Sequence, residues 1–326
     1  MKHLVAFFKS TAGMVLLVTI LVGVAVHAST GNFFTAYNIS TLTRAAAFII
    51  LVGFGQTLVL LTGGIDLSVA AIGSVCGMCC AIFMVQMGFD PFLSIAMASF
   101  IGVALGAVNG FFIAYVRMTP FIVTLATMEI YRGVVYVVTK GMPITGMDPA
   151  AEQLANGVMF GVLPNIVIIA AIVCLLLVVI LQRTSLGRHI YALGGNRNCA
   201  KIVGIPTERV EMIVYMLSGF LSAIAGVLMA CKLASFQASI GESWQMDSIT
   251  AAVLGGTSMT GGIGSVIGTS VGGLLSGVIT TCITLLRVSS YWETIVTGAV
   301  VLIAVFIDAV KDNPVLKARI KGIFLR

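Results

Sequence analysis

The stretch RTSLGRHIYALGGNRNCAKIVGIPTER, residues 183–209, is the longest strongly polar segment of an otherwise apolar chain. Its only acid is Glu208, and its five basic residues are Arg183, Arg188, Arg197, Lys201 and Arg209. A polar segment of this length between apolar runs predicts a loop outside the lipid bilayer. The apolar runs on either side of it therefore decide the fold.

The same stretch encodes a short helix with clear ends. Gly194–Gly195 interrupt the chain, and the side-chain oxygen of Asn196 can accept a backbone N–H at a helix N-terminus. Gly204 suits the left-handed conformation that closes a helix, and Pro206 prevents its continuation. We therefore predict a short helix over residues 197–203.

The side chains of this short helix divide into a basic and an apolar set. Arg197 and Lys201, four residues apart, share one face of the helix. The apolar residues cluster towards another side, and they are Cys199, Ala200, Ile202 and Val203. An amphipathic helix held between two spans either lies on lipid headgroups or docks on a soluble partner, and composition alone favours neither.

The composition places the chain among membrane proteins. Of 326 residues, 59% are hydrophobic and only 9% are charged, and the mean hydropathy is +1.11. Soluble domains carry about 25% charged residues, so the sequence predicts an all-α polytopic membrane protein. The net charge of +6 comes from bases in loops beside spans, where orientation in the bilayer explains them without a nucleic-acid partner.

A membrane-crossing helix needs about 20 apolar residues, and on this criterion the chain forms about ten spans. The predicted spans cover residues 11–28, 43–61, 67–87, 91–115, 120–139, 164–182, 210–231, 247–257, 263–286 and 292–310. The eighth is short, and whether it crosses the whole bilayer is left open. The chain is predicted to form a single transmembrane domain over residues 1–326.

The distribution of basic residues predicts the orientation of these spans. Ten crossings place both termini on one side, and 13 of the 18 lysines and arginines then fall on that side. Because basic loops face the cytoplasm, both termini and the 183–209 loop are predicted to be cytoplasmic. The polar loops at 141–163 and 233–246 are predicted to lie outside.

Two glycine-rich breaks interrupt the apolar runs. Thr62-Gly63-Gly64-Ile65 recurs as Thr260-Gly261-Gly262-Ile263, and Gly255–Gly256 precede the second copy. Neither break matches a phosphate-binding loop, so no ATP site is predicted in this chain. Both copies fall at cytoplasmic ends, unlike an inverted repeat, and chance recurrence in a glycine-rich chain is the simpler interpretation. The breaks either line a path or gate, or permit tight helix packing.

Two spans carry informative residues within their apolar runs. In the fourth, glycines at every fourth position predict a close helix contact, and they are Gly102, Gly106 and Gly110. In the fifth, Glu129 and Arg132 lie near the middle, where ionisable groups are costly. They are either a mutual ion pair or part of a polar path, to which Thr124 adds a hydroxyl. No metal-ligand spacing or nucleophile motif appears, so neither a metal nor a catalytic site is predicted.

Several stretches resemble a known family. They are LVLLTGGIDLSV at residues 58–69, RTSLGRHIYALGGN at 183–196, GI at 204–205 and MDSITAAVLGGTS at 246–258. The chain resembles, over nearly its whole length, the inner-membrane permeases of bacterial ABC importers for monosaccharides, of the ribose-permease type. Ala70 and the Arg197-Asn198-Cys199 run depart from the family pattern. The second departure bears on how the chain pairs with its partner.

The resemblance implies the vitamin-B12-permease-like fold of type II ABC importers, in the bacterial inner membrane. It implies a second permease copy or paralogue, a cytoplasmic ATPase and a periplasmic sugar-binding protein. No cofactor is expected in this chain, because the partner ATPase would bind ATP and magnesium. The helix from Asn196 to Ile205 would be a coupling helix that fits a cleft in the ATPase.

Two candidate sites follow from the residues and the resemblance together. The ATPase-coupling site comprises Gly194, Gly195, Asn196, Arg197, Ala200, Lys201, Gly204 and Ile205. The translocation path comprises Gly63, Gly64, Asp66, Thr124, Glu129, Arg132, Asp247, Gly255 and Gly256.

The implied function is alternating-access import of a monosaccharide, driven by the partner ATPase. The chain is therefore predicted to be a transport subunit of the complex and not itself an enzyme. Ribose, other pentoses, hexoses and related polyols all fit the sequence. The alternative is an ion-coupled secondary transporter or channel for a small polar solute, for which Glu129 is the one acid deep within a predicted span.

Overall fold

The computed structural model describes residues 11–159, 161 and 163–289, together with positions 292, 295, 296, 298, 299, 302 and 306. The tenth predicted span, 292–310, lies mainly outside the described residues, as do both chain termini.

Helices joined by short connections make up most of the described chain. They are α1 (Thr11–Thr30), α2 (Ala36–Leu61), α3 (Val69–Ala81), α4 (Pro91–Gly110), α5 (Pro120–Thr139), α6 (Pro149–Asn156), α7 (Asn165–Arg183), α8 (Ser185–Gly195), α9 (Arg197–Ile202), α10 (Thr207–Lys232), α11 (Trp244–Leu254) and α12 (Val266–Leu285). Two of them continue as π-helical turns, α3 over Ile82–Gln86 and α4 over Phe111–Tyr115.

Eight of the described helices are long and apolar enough to cross a membrane, counting the two π-helical turns with α3 and α4. The others in this set are α1, α2, α5, α7, α10 and α12. The prediction of an all-α polytopic membrane protein is confirmed. The second span begins earlier than the predicted position 43, because Thr35 caps α2 and its Oγ1 accepts the backbone N–H of Asn38 at 3.4 Å.

Short strands order one end of the bundle. They are β1 (Ile144–Thr145), β2 (Val158–Met159), β3 (Leu163–Pro164) and β4 (Ser235–Phe236), with β1 antiparallel to β4 and β2 antiparallel to β3. The sequence predicted plain loops here. The β1–β4 ladder forms because Ile144 and Phe236, opposite each other, both bury apolar side chains. We call this end the opposite end, and the end that carries α8 and α9 the basic end.

The eighth predicted span, 247–257, does not cross the bundle by itself. α11 has 11 residues and is therefore ~16 Å long, about half the ~30 Å of a bilayer core. Its first residue, Trp244, stacks on Phe48 with ring centroids 6.0 Å apart, and Phe48 lies halfway along α2. α11 thus starts near the middle of the bundle and runs to the basic end, and the chain before it folds back into the bundle.

α10 is the central helix and packs along α2, α3 and α4. Glycines bring the backbones of α4 and α10 into direct contact. A Cβ on Gly106 would overlap the carbonyl oxygen of Tyr215, and one on Gly110 would lie 3.1 Å from the Cα of Met212. The predicted glycine contact face of α4 is confirmed, and it holds the π-helical end of α4 against the basic end of α10.

Candidate functional site

α9 is the short helix predicted within the basic stretch. Asn196 caps its N-terminus, since its Oδ1 accepts the backbone N–H of Cys199 at 3.0 Å. After Ile202 the chain closes at Gly204, whose φ of +82° is the left-handed conformation that glycine favours. The predicted cap and closing glycine are confirmed, and the helix is one residue shorter than the predicted 197–203.

The apolar residues of α9 do not share one side, which corrects the sequence-based prediction. Ala200 is buried, with 3% of its surface exposed, whereas Ile202 is 83% and Val203 74% exposed. A helix of six residues is oriented by what holds its ends, and ion pairs described next fix this one. Ala200, predicted as a coupling contact, therefore anchors the helix, while Ile202 and Val203 are free to touch a partner.

Arg197 holds α9 against the central helix. Its guanidinium donates to both carboxylate oxygens of Glu211 on α10, at 3.0 and 2.6 Å. The Glu211 side chain is 5% exposed and that of Arg197 is 37% exposed. The sequence had suggested that Arg197 alters the partner surface. The structure instead turns its charged group inward, where the bidentate geometry fixes the start of α9.

A second acid ties the same helix to a neighbouring turn. Glu208, at the start of α10, pairs with Arg117 in the turn between α4 and α5, and lies 3.7 Å from the Nζ of Lys201 on α9. Both bases are well exposed, so each pair contributes little stability alone. Together the pairs connect α9, α10 and the α4–α5 turn. A movement of α9 would therefore be transmitted to α10 and to the α4–α5 turn.

Arg197→Ala is expected to lower the free energy of unfolding by about 1–3 kcal/mol, because it leaves the buried Glu211 carboxylate unpaired. The double substitution Arg197→Leu with Glu211→Leu is expected to recover part of that loss, since no buried charge then remains. The measurement is the thermal unfolding midpoint of each variant in detergent. Equal midpoints for Arg197→Ala and the wild type would show that the pair does not hold α9.

Three glycine pairs from distant parts of the chain meet at the basic end. The backbone N–H of Gly262 donates to the carbonyl of Leu61 at 3.0 Å. A Cβ on Gly261 would lie 2.9 Å from the Gly194 oxygen and 3.0 Å from the Gly63 nitrogen. We call the contact of Gly63, Gly194, Gly195, Gly261 and Gly262 the glycine junction.

The two copies of the recurring Thr-Gly-Gly-Ile motif meet at the glycine junction. A Cβ built on Gly63 would lie 3.5 Å from the carbonyl oxygen of Thr260. Glycine at positions 194, 261 and 262 allows the three chain segments to approach so closely, since a Cβ on any of these residues would lie within 3.0 Å of backbone atoms. Contact between the copies does not bear on how the motif came to recur, so chance recurrence stays the interpretation. The end of α8, directly before α9, touches both breaks.

Asp66 is fully buried just beyond the first break. Its Oδ1 accepts the backbone N–H of Ser68 at 2.9 Å and the Ser68 hydroxyl at 2.6 Å, and its Oδ2 accepts the Ser218 hydroxyl at 2.9 Å. Asn109 on α4 donates its Nδ2 to Ser68 Oγ at 2.7 Å. Burial raises the pKa of the Asp66 carboxyl, and the hydrogen bonds from Ser68 and Ser218 oppose that rise. Through these bonds Asp66, predicted as a path residue, joins α4 and α10 to the break.

Several other predicted path residues serve packing in this structure. Thr124 is buried, and its hydroxyl donates to the Ile65 carbonyl at 3.2 Å, which fixes the first break to α5. Gly255 packs against the backbone of Gly268 in α12, and Gly256 has a φ of +90°. The packing alternative for the glycine breaks is therefore supported at these positions. Asp247, in the first turn of α11, is partly buried.

An open polar cavity lies at the basic end beside the glycine junction. It has a volume of about 280 Å³. Its walls come from the first glycine break, the α4–α5 turn, α9 and α10, and they include Thr62, Gly63, Gly64, Arg117, Arg197 and Glu211. Gly63 and Gly64 line this cavity, and their place in a translocation path stays a prediction.

Glu129 and Arg132 lie near the middle of α5, as predicted, with Glu129 exposed and Arg132 partly exposed. Among the described residues no ion pair joins them, so the mutual ion pair was the wrong alternative. A charged side chain on an open helix face at this depth requires water or a polar partner. The place of Glu129 and Arg132 in a polar path stays a prediction.

Two polar residues beside Arg132 were not identified from the sequence. Ser74 on α3 and Glu242 in the chain before α11 line one small cavity together with Arg132. Glu242 falls in a segment predicted as an outer loop, whereas the structure folds that segment back to the level of Trp244. The signal in the sequence was the eighth predicted span, whose shortness implies that the chain returns into the bundle.

Comparisons with known proteins identify similar sequences across nearly the whole chain. Residues 38–305 match the family described as branched-chain amino acid transport system, permease component. The chain is 42% identical over 284 residues to a ribose import permease of Bacillus subtilis, with 86% of this chain and 87% of that protein covered.

More distant relatives are named for other sugars. A D-allose transport system permease of Escherichia coli is 34% identical over 304 residues, covering 93% of each chain. A fructose import permease of Rhizobium meliloti is 32% identical over 320 residues, covering 94% of this chain and 87% of that protein. No solved structure matches the chain significantly.

Proposed function

Because this chain belongs to the ABC-transporter permease components described as the branched-chain amino acid transport type, we propose that it is the membrane-spanning subunit of a monosaccharide importer. The observation that carries the proposal is its 42% identity to a ribose import permease over 86% of the chain. Ribose is the first substrate to test. Allose and fructose follow, because two other relatives are named for these sugars.

The proposed complex follows the plan of type II ABC importers in the bacterial inner membrane. A second permease copy or paralogue completes the path, a cytoplasmic ATPase binds ATP and magnesium, and a sugar-binding protein delivers substrate from outside. Both chain termini and the basic end face the cytoplasm in this proposal. Its support is the excess of bases in the 183–209 loop, which favours a cytoplasmic position.

The ATPase docks on the tip of α9 in this proposal. Ile202 and Val203 are large apolar side chains exposed at 83% and 74%, and their helix is fixed behind by the Arg197–Glu211 pair. An exposed apolar tip on a fixed helix fits a cleft in a soluble subunit. Docking buries the two apolar side chains, and it costs little conformational entropy because the helix is already held in place. The opposite end, ordered by α6 and the short strands, is left for the sugar-binding protein.

Alternating access then follows from the connections of α9. ATP binding moves the ATPase subunits, and α9 and α8 move with them. The glycine junction passes that motion to the first break, between α2 and α3, and to the second break, between α11 and α12. Two arrangements of these breaks open the path first to one side and then to the other.

The test is uptake of radiolabelled ribose, allose and fructose into liposomes that hold the permease with its ATPase, supplied with the binding protein. We expect uptake of one sugar that requires ATP and the ATPase and is unaffected by a protonophore. Uptake that a proton gradient drives without the ATPase would contradict the proposal and support the ion-coupled alternative. That alternative would then assign Glu129 as the coupling group.

A further inference from the structure

A small cavity lies between α3, α5 and the chain that precedes α11. Its lining residues are Ala70, Ala71, Ser74, Arg132, Ala238, Ile240 and Glu242, and its volume is about 10 Å³. These residues belong to α3, to α5 and to the chain that returns into the bundle before α11. A volume of this size holds about one water molecule or one hydroxyl group. We call this cavity the Arg132 notch.

The polar groups of the Arg132 notch have no partners among the described residues. Ser74 is 6% exposed, and its hydroxyl makes no hydrogen bond. The side chains of Arg132 and Glu242 form neither a hydrogen bond nor an ion pair within the same part of the chain. Ser74 is the buried member of this set, whereas Arg132 is partly exposed and Glu242 is exposed. Because buried polar groups are nearly always satisfied, the unpartnered Ser74 hydroxyl beside two accessible charged side chains indicates a site that something polar fills.

The contacts of Trp244 define the depth of the Arg132 notch within the bundle. Trp244, two residues after Glu242, stacks on Phe48 at the midpoint of α2. The same ring approaches Gly73, the residue before Ser74, at 3.3 Å from a Cβ position. The notch therefore lies near the middle of the bundle, at the level of Arg132 in the apolar helix α5. Ionisable groups at this level face a solute path or a polar partner.

We propose that the Arg132 notch is a transient binding site for one hydroxyl group of a neutral sugar on its way through the permease. The Arg132 guanidinium can only donate hydrogen bonds, the Glu242 carboxylate can only accept them, and the Ser74 hydroxyl does both. A sugar hydroxyl donates one bond and accepts others, so it satisfies all three. A carboxylate or an ammonium group on the solute would meet one like charge, which makes the notch selective for neutral polyols.

This inference rests on the proposed function and adds a substrate-contacting site to it. The notch is small, so it contacts one hydroxyl and does not enclose the sugar. Such a weak contact suits a permease, because the solute must leave as readily as it enters. The sugar-binding protein retains the task of capture.

The test compares sugars that lack one hydroxyl in the reconstituted transporter. For the wild type, one monodeoxy analogue is expected to enter about tenfold more slowly than the parent sugar, because one charge-assisted hydrogen bond is lost. Binding of both sugars to the isolated binding protein is measured separately and corrected for. In Ser74→Ala and Glu242→Gln, that discrimination is expected to shrink towards unity.

Ser99→Ala is the matched control. Ser99 is also buried, at 7% exposure, but its hydroxyl bonds only to the Ile95 carbonyl of its own helix at 2.8 Å. It should keep the wild-type discrimination. If Ser74→Ala and Glu242→Gln discriminate between parent and analogue as the wild type does, the notch does not contact the sugar. If the wild type itself takes up no sugar with ATP, the proposed function fails first, and the two failures are distinguishable.

Discussion

Gly194→Ala is expected to abolish transport and to lower the free energy of unfolding by about 2–4 kcal/mol. A Cβ at this position would overlap the carbonyl oxygen of Leu61 and lie 2.5 Å from the nitrogen of Gly262. Both are backbone atoms, so no side-chain rotation relieves the clash. The new methyl group therefore forces the end of α8 away from both glycine breaks. The measurements are the unfolding midpoint in detergent and ATP-dependent sugar uptake.

Gly195→Ala is the matched control for this prediction. It is the neighbouring residue of the same pair, but a Cβ there meets nothing within 4 Å. We expect it to fold and transport as the wild type does. Loss of function in both variants would mean that the flexibility of the glycine pair matters and not the close approach of three backbones. Full activity of Gly194→Ala would show that the glycine junction is not required.

Ile202→Arg is expected to weaken docking of the ATPase by about 30-fold or more, which corresponds to the ~2 kcal/mol of an interface hot spot. The side chain is 83% exposed, so the permease itself should fold with an unchanged unfolding midpoint. Co-purification with the ATPase and sugar-stimulated ATP hydrolysis are the measurements. Both should fall together.

The same substitution separates the two alternatives that the sequence left open for α9. A helix that only rests on lipid headgroups gains from an added positive charge, because anionic lipids attract it. Ile202→Arg would then leave transport unchanged. Ala200→Arg does not make this distinction, since Ala200 is buried and a charged side chain there would disturb the fold itself.

Local signals in the sequence predicted the elements of the site well. The cap at Asn196 and the closing Gly204 define α9 through bonds within a few residues, and these need no tertiary information. Eight of the ten predicted spans follow from apolar length alone, whereas the eighth is too short to cross and the tenth lies mainly outside the described residues. The contact face of Gly102, Gly106 and Gly110 follows from the helical repeat, because residues four apart share one face.

The parts that could not be predicted depend on contacts between distant segments. The orientation of Ala200 is set by the pair between Arg197 and Glu211, which lie 14 residues apart. The glycine junction brings together Gly63, Gly194 and Gly262, and a repeated motif does not by itself reveal a shared contact. Residues 233–246 were predicted to form an outer loop because they are polar. Polarity alone did not distinguish a surface loop from a segment that folds back into the bundle and carries Glu242.

Photo-crosslinking from Val203 tests whether an ATPase docks on the basic end. A photoreactive amino acid at this position, which is 74% exposed, is activated in membranes that contain the whole complex. Val158, 45% exposed in β2 at the opposite end, serves as the control position. We expect a covalent product with the ATPase subunit from Val203 and none from Val158. Products with lipid alone from Val203, in a complex that imports sugar, would contradict it.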